Sequence, residues 1–135
     1  MPVFESADKL YRCLGGFFEL MGNHPETQRL LQTTELTIRF DFTDPEASIT
    51  LVAGEGNPSV HCGDCVDPPH VQLSMSGDVA HRFWMGEVNV MGAILTRQIV
   101  ADGPLEEIME LKPLIKAAME IYPRYFKEFD APAAS

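Results

Sequence analysis

The residues with the clearest chemical potential are Cys62 and Cys65 in "HCGDC", with His61 beside the first thiol and His70 five residues beyond the second. Thiolates and imidazoles are the ligands zinc prefers, and four of them close a tetrahedral site. The same C-x-x-C spacing serves dithiol redox centres. Both chemistries meet obstacles here. The chain has three cysteines, so no second C-x-x-C can complete a zinc site. If the segment is extended, His61 and Cys62 point to opposite faces. A redox pair opens a helix after a strand, whereas "VDPP" follows this one. Cys62, Cys65 and His70 are therefore the candidates should a metal bind, but an ordinary thiol pair, reduced or bridged, is the simpler expectation. No metal and no cofactor is assigned.

Elsewhere the chemistry thins out. The sequence holds no Ser-His-Asp pattern, Gly-rich phosphate loop or paired carboxylates on one helix face. Glu106 and Glu107 read as acidic residues complementing a helix N-terminus. His24 precedes Pro25 at a helix start, His81 reads as solvent-facing, and Cys13 as a small buried hydrophobe. Catalysis is not expected. Twenty acids against ten bases give a net charge of −10, which excludes the phosphate neutralisation that nucleic-acid binding needs. It also weakens the case for adhesion to anionic membranes. The local exception, Lys112, Lys116, Arg124 and Lys127 against Glu120 and Glu128, reads as a solvated helix face.

Those few reactive residues sit in a chain whose bulk is apolar. Hydrophobic residues make up 45% of 135, enough for one domain with a substantial core. No apolar run approaches the roughly 18 residues of a membrane span, so stable membrane insertion is not expected. "MPVFESADKLYR" lacks a basic stretch followed by an apolar one, which makes the cytoplasm the expected compartment.

Leu10, Leu14, Phe17 and Met21 predict a helix from about Asp8 to Met21, with Gly15 and Gly16 tolerable if another backbone packs close there. "PETQRLLQ" follows as a second helix. "LTIRFDF" alternates as a strand, with Leu36, Ile38, Phe40 and Phe42 on one face and Thr37, Arg39 and Asp41 on the other. "SITLVAG" returns as its hairpin partner, "SVHC" is a weaker strand, and "VQLSMS" buries Val71, Leu73 and Met75. "GDVAHRFWMG" and "EVNVMGAILT" read as short helices, the second turning Val90, Met91, Ile94 and Leu95 inward. "RQIVADG" is a last strand. Helices then run to the end, reopened at Pro113 and again at Pro123, with a stripe of Ile108, Leu111, Ile115, Met119, Tyr122 and Phe126. The order predicts an α+β fold: a mainly antiparallel five-stranded sheet with helices packed on one face. The domain spans 1–130, with helices over 8–32, sheet and short helices over 35–103, C-terminal helices over 104–129, and a disordered tail at 131–135.

The pattern "LTIRFDFTDPEASITL", then "DPPHVQLSMSGDVAHRFWMGEVN", then "RQIVADGPL" resembles the sterol carrier protein type 2 family of lipid-binding domains over roughly residues 35–115. The resemblance lies in the order and spacing of apolar patterns, since the family has no catalytic signature. It implies a five-stranded sheet covered by helices around an apolar tunnel for sterols, fatty acids or acyl chains. Three features depart from the family pattern. Arg97 stands where many relatives have glycine, "HCGDC" replaces a plain strand and turn, and the chain continues past Pro113 in a segment that could act as a lid.

On that reading the stretch around Trp84 forms a tunnel wall. Phe40, Phe83, Trp84, Met91, Ile94 and Leu95, with Met109, Ile115 and Met119 from the final helices, are the expected ligand contacts. Arg82, Lys112 or Lys116 would meet a polar head. The expected partner is a hydrophobic small molecule or lipid, and two copies could pair as a homodimer through the sheet's polar face. The alternatives are an accessory or dimerisation module with a closed core, and a thiol or metal module on Cys62 and Cys65.

Overall fold

The alternation in "TIRFDF" builds the centre of the sheet. In the computed structural model, which describes residues 3–53, 59–63 and 68–129 and only the backbone at Val90 and Leu105, β1 is Thr37–Thr43, with Ile38, Phe40 and Phe42 buried. It is flanked by β2 (Ala47–Val52) and β4 (Val71–Ser76), and β3 (Ser59–Cys62) and β5 (Val100–Asp102) form the edges, giving the order β3-β2-β1-β4-β5. The expected tail at 131–135 lies outside the described residues, as does Cys65.

The sheet is mixed, not mainly antiparallel. β1 and β4 run parallel, with Ile38, Phe40 and Phe42 beside Val71, Leu73 and Met75, while the other pairings are antiparallel. A period of two assigns side chains to faces and says nothing about strand direction. After β3 the chain crosses to the far side of β1 and enters from the end at which β1 begins, so β4 must run alongside it. His70 pins that entry: its backbone N–H donates to the Thr37 carbonyl at 2.8 Å, and its ring Nδ1 accepts from the Thr37 N–H at 2.9 Å.

The expected first helix is three pieces: α1 (Ala7–Leu10), a π-helical turn over Tyr11–Gly15, and α2 (Gly16–Asn23). The wider turn rotates the following helix relative to the preceding one. Leu10 is buried before it, Cys13 and Leu14 within it, and Phe17, Phe18 and Met21 after it, which brings Phe18 into the core beside the predicted stripe. The glycine pair sits where two elements press in. A Cβ on Gly15 would lie 2.9 Å from Cys62 Sγ of β3, and one on Gly16 would lie 2.8 Å from Tyr125 Oη.

α3 (Pro25–Thr34) follows, then, beyond β4, α4 (Gly77–Trp84), whose first turn is capped by Ser76 accepting from the Val79 N–H at 3.1 Å. Of the side chains that α5 (Val90–Leu95) was expected to turn inward, Met91 is 64% and Leu95 80% exposed, Ile94 is half-buried against the core beside the buried Ala93, and that of Val90 lies outside the described residues. α6 (Leu105–Glu110) and α7 (Lys112–Phe129) close the fold. α7 runs unbroken through Pro123, where an interruption was expected. The proline removes one backbone bond at a cost of roughly 3 kcal/mol, and ring contacts on both sides hold the helix, Tyr122 to Phe126 at 5.8 Å and Tyr125 to Phe129 at 6.2 Å. On the sheet's other face Arg39 Nε donates to Asp41 Oδ1 at 3.0 Å, and Gln72 Nε2 donates to the second Asp41 oxygen.

Arg97 holds φ at 62°, the left-handed region that glycine occupies without steric cost. Arg97→Gly is expected to raise stability by about 0.5–1 kcal/mol, the relief of Cβ strain partly offset by the freer unfolded chain. Urea denaturation of both proteins measures this; an unchanged or lowered midpoint would contradict the strain.

Candidate functional site

Between the buried face of the sheet and the helices lies an apolar cavity of about 20 Å³. The sheet supplies its floor through Ile38, Phe40, Leu51 and Leu73. α2 contributes Phe18 and Met21, α4 contributes Phe83 and Trp84, and the junction of α6 and α7 contributes Leu111, Leu114 and Ile115. No polar surface faces it. Its walls are stiff where aromatic rings meet: Phe18 and Phe40 stack at 5.0 Å, and Trp84 stands 5.8 Å from Phe18 and 4.7 Å from Phe83. In place of an open tunnel, then, the interior holds a void the size of about one water molecule. Ligand pockets commonly measure about 300–1,000 Å³. With nothing polar to hold a water, the void stays dry and costs about 0.5 kcal/mol at 20 Å³.

Of the residues expected to line a tunnel, Phe40, Phe83, Trp84 and Ile115 meet around this cavity. Ile94 and Met119 are half-buried and pack against the core without reaching it. Met91, Leu95 and Met109 are on the surface, Met109 over an outer groove between α3 and the α6–α7 junction. Arg82, Lys112 and Lys116 are exposed. Phe18 and Leu114 are lining residues that the sequence stripes do not include. The face of α7 that is buried runs through Leu114, Ala118 and Tyr122, which places Ile115 and Met119 on its flank.

The thiols and imidazoles do not assemble. Cys62 is level with Ile49 and His70 with Thr37, three strands apart, which at about 4.8 Å per strand and 3.3 Å per residue is roughly 17 Å. A zinc ion reaches about 2.0–2.3 Å to each ligand. Among the described residues no three of His, Cys, Asp and Glu could share a metal. Burial, and then the Glu19 carboxylate, push the Cys62 thiol up from its usual range, so it stays protonated and weakly nucleophilic near neutral pH.

A polar cluster stands behind the cavity and ties α7 to the π-helical turn. Tyr122 Oη lies 2.9 Å from His81 Nδ1 and 3.7 Å from Cys13 Sγ, and Tyr125 Oη donates to the Cys13 carbonyl at 2.7 Å. His81 is thus half-buried, packed 4.3 Å from the Phe126 ring, and not solvent-facing as expected. Burial, followed by Cys13, drives the Tyr122 phenol far above its ordinary range, and the same two causes, with Glu19, push Tyr125 up to about 12.

The model of the SCP-2 sterol transfer family matches residues 17–116. No curated protein matches the chain. Among solved structures, the sterol carrier protein domain 2 of Helicoverpa armigera is 20% identical with a TM-score of 0.70, over 82% of this chain and 88% of its own. Sterol carrier protein 2 of Aedes aegypti, in complex with the C16 fatty acid palmitate, is 18% identical with a TM-score of 0.52, over 81% of this chain and 93% of its own. The inverting sec-alkylsulfatase Pisa1 of a Pseudomonas species is 18% identical with a TM-score of 0.61; the match covers 73% of this chain but 15% of the sulfatase.

The raised phenols predict alkaline sensitivity. A tyrosine whose folded pKa exceeds its unfolded value binds its proton more tightly when folded, so its contribution is complete below about pH 10 and is lost as pH rises toward and past 12. Urea midpoints of the wild type should fall over that window, and Tyr125→Phe should fall less steeply. Parallel curves for the two proteins would contradict the assignment.

Proposed function

Because the chain belongs to the SCP-2 sterol transfer family, we propose that it is a carrier of a long apolar molecule, a fatty-acyl or sterol-like lipid, held without covalent chemistry between sheet and helices. The observation that carries the reading is the small cavity with purely apolar walls inside the family-matched residues. Its small size fits a carrier that closes when empty. A void of about 300 Å³ would cost about 7 kcal/mol, comparable with the whole stability of about 5–15 kcal/mol of an ordinary domain. An acyl chain returns that cost: at about 0.8 kcal/mol per methylene, a C16 chain such as the palmitate bound by the Aedes protein contributes about 12 kcal/mol on leaving water. The interior is therefore filled by the guest or by collapse.

Phe40, Phe83, Trp84 and Ile115 are the proposed contacts, with Ile94 and Met119 reached as the space widens. Met91, Leu95 and Met109 lie where an entering or leaving chain would touch them. A carboxylate head left at the surface would meet Lys112 or Lys116, which flank Leu114 and Ile115 on α7, or Arg82 on α4. The cytoplasm remains the proposed compartment; among the described residues no helix is long and apolar enough to cross a membrane.

One observation favours a second reading, an accessory module acting through protein contacts. The sulfatase match spans only 15% of that enzyme, so this fold also occurs inside a larger protein.

Trp84 is the only tryptophan and lines the cavity, so it reports on filling. Titration with palmitate should shift or quench its emission saturably, and native mass spectrometry should show a one-to-one adduct. Ile115→Phe, which fills the void, should weaken binding about tenfold or more while altering stability by less than about 1.5 kcal/mol. A protein that binds neither palmitate nor a sterol, and extracts with no lipid, would favour the accessory module.

A further inference from the structure

We propose that Leu114 is the gate by which the lipid enters, and that the route runs between α3 and the elbow joining α6 to α7. The inference rests on the carrier reading and deepens it by naming the way in. Two spaces meet at this side chain. On the inside, Leu114 closes the apolar cavity; on the outside, it forms the floor of a groove of about 380 Å³ bounded by Leu30, Thr33, Thr34, Met109 and Glu110. It is 5% exposed, so one leucine separates the interior from an open surface depression. Among the described residues no other borders both spaces.

The groove mixes apolar Leu30, Met109 and Pro113 with polar Thr33, Thr34 and Glu110. Thr33 Oγ1 and Thr34 Oγ1 both donate to the Leu30 carbonyl of their own helix, at 3.0 Å and 2.6 Å. Their hydroxyl protons are therefore already committed to the backbone. Met109, 47% exposed, adds a flexible thioether that can follow a passing chain.

The backbone beside the gate is suited to yielding. The last turn of α6 closes with the tighter bond from the Leu111 N–H to the Ile108 carbonyl at 3.1 Å, and the next helix begins with the Ile115 N–H donating to the Leu111 carbonyl at 2.8 Å. Pro113 has no N–H to donate to Met109, so that rung is missing between the two helices. The far end of α7 is held by Tyr122 and Tyr125 against His81 and Cys13. Opening thus falls at the elbow, where Leu114 is.

The test is stopped-flow mixing of full-length protein with the fluorescent fatty acid cis-parinaric acid, for association, and with excess palmitate, for dissociation. Leu114→Ala should speed association by about tenfold or more, because removing a gate lowers the barrier to entry; since Leu114 also lines the cavity, dissociation should speed by at least as much. Leu73→Ala, in the cavity wall but away from the groove, should change Kd chiefly through dissociation. Thr34→Trp, which fills the groove from outside the cavity, should slow both steps, and it decides the matter if Leu114→Ala does not fold. Wild-type rates in Leu114→Ala and in Thr34→Trp, with tight binding retained, would overturn the gate alone. No binding by the wild type would overturn the gate and the carrier reading together.

Discussion

An apolar cavity cannot stay both large and empty. Each cubic ångström left unfilled forfeits contacts that nothing replaces, and water gains no partner inside walls without polar atoms. The sheet and helices of this protein meet that constraint by closing to a void of about 20 Å³. Family membership and this near-solid core are therefore compatible: closure is the low-energy form of an apolar interior without a guest. The same constraint makes the guest part of the packing, since the chain it inserts restores the contacts that opening removes.

The elements divide into those that hold and those that give. On the holding side, Phe18 stacks on Phe40 while Trp84 is wedged beside them, and the Gly15–Gly16 step lets Cys62 and Tyr125 approach the first helical segment from two directions. Tyr122 and Tyr125 bind the outer half of α7 to the π-helical turn through one buried and one partly buried hydrogen bond. On the giving side is the first turn of α7, interrupted at Pro113 and resting its Leu114 on a groove that solvent already occupies. Under the proposed gate, a helix anchored at its far end yields at the missing rung beside Leu114, and no hinge loop is needed.

Much of this was legible in the sequence. Period-two alternation in "TIRFDF" and "VQLSMS" identified Ile38, Phe40, Leu73 and their neighbours as core, and both strands form where expected. Their relative direction was not legible, because alternation is the same in parallel and antiparallel pairs. Helical stripes placed Met21 and Leu111 but missed Phe18 and Leu114: one lies beyond a π-helical turn that shifts the register, and the other lies on a helix whose buried face is rotated from the predicted line. His81 read as exposed because its partners, Tyr122 and Phe126, are about forty residues distant in sequence. Met91 and Leu95 were legible as apolar, yet a six-residue helix anchored by Ala93 leaves them outside. How much room the interior holds was not legible for a physical reason: composition records what lines a space, whereas its volume is set by whether anything occupies it.

A high-resolution crystal structure of the protein with palmitate tests this account most directly. It should show the acyl chain between Phe40, Trp84 and Ile115, the elbow of α6 and α7 displaced outward, and the interior enlarged from about 20 Å³ to several hundred. Palmitate lying on the surface over an unchanged, filled core would contradict it.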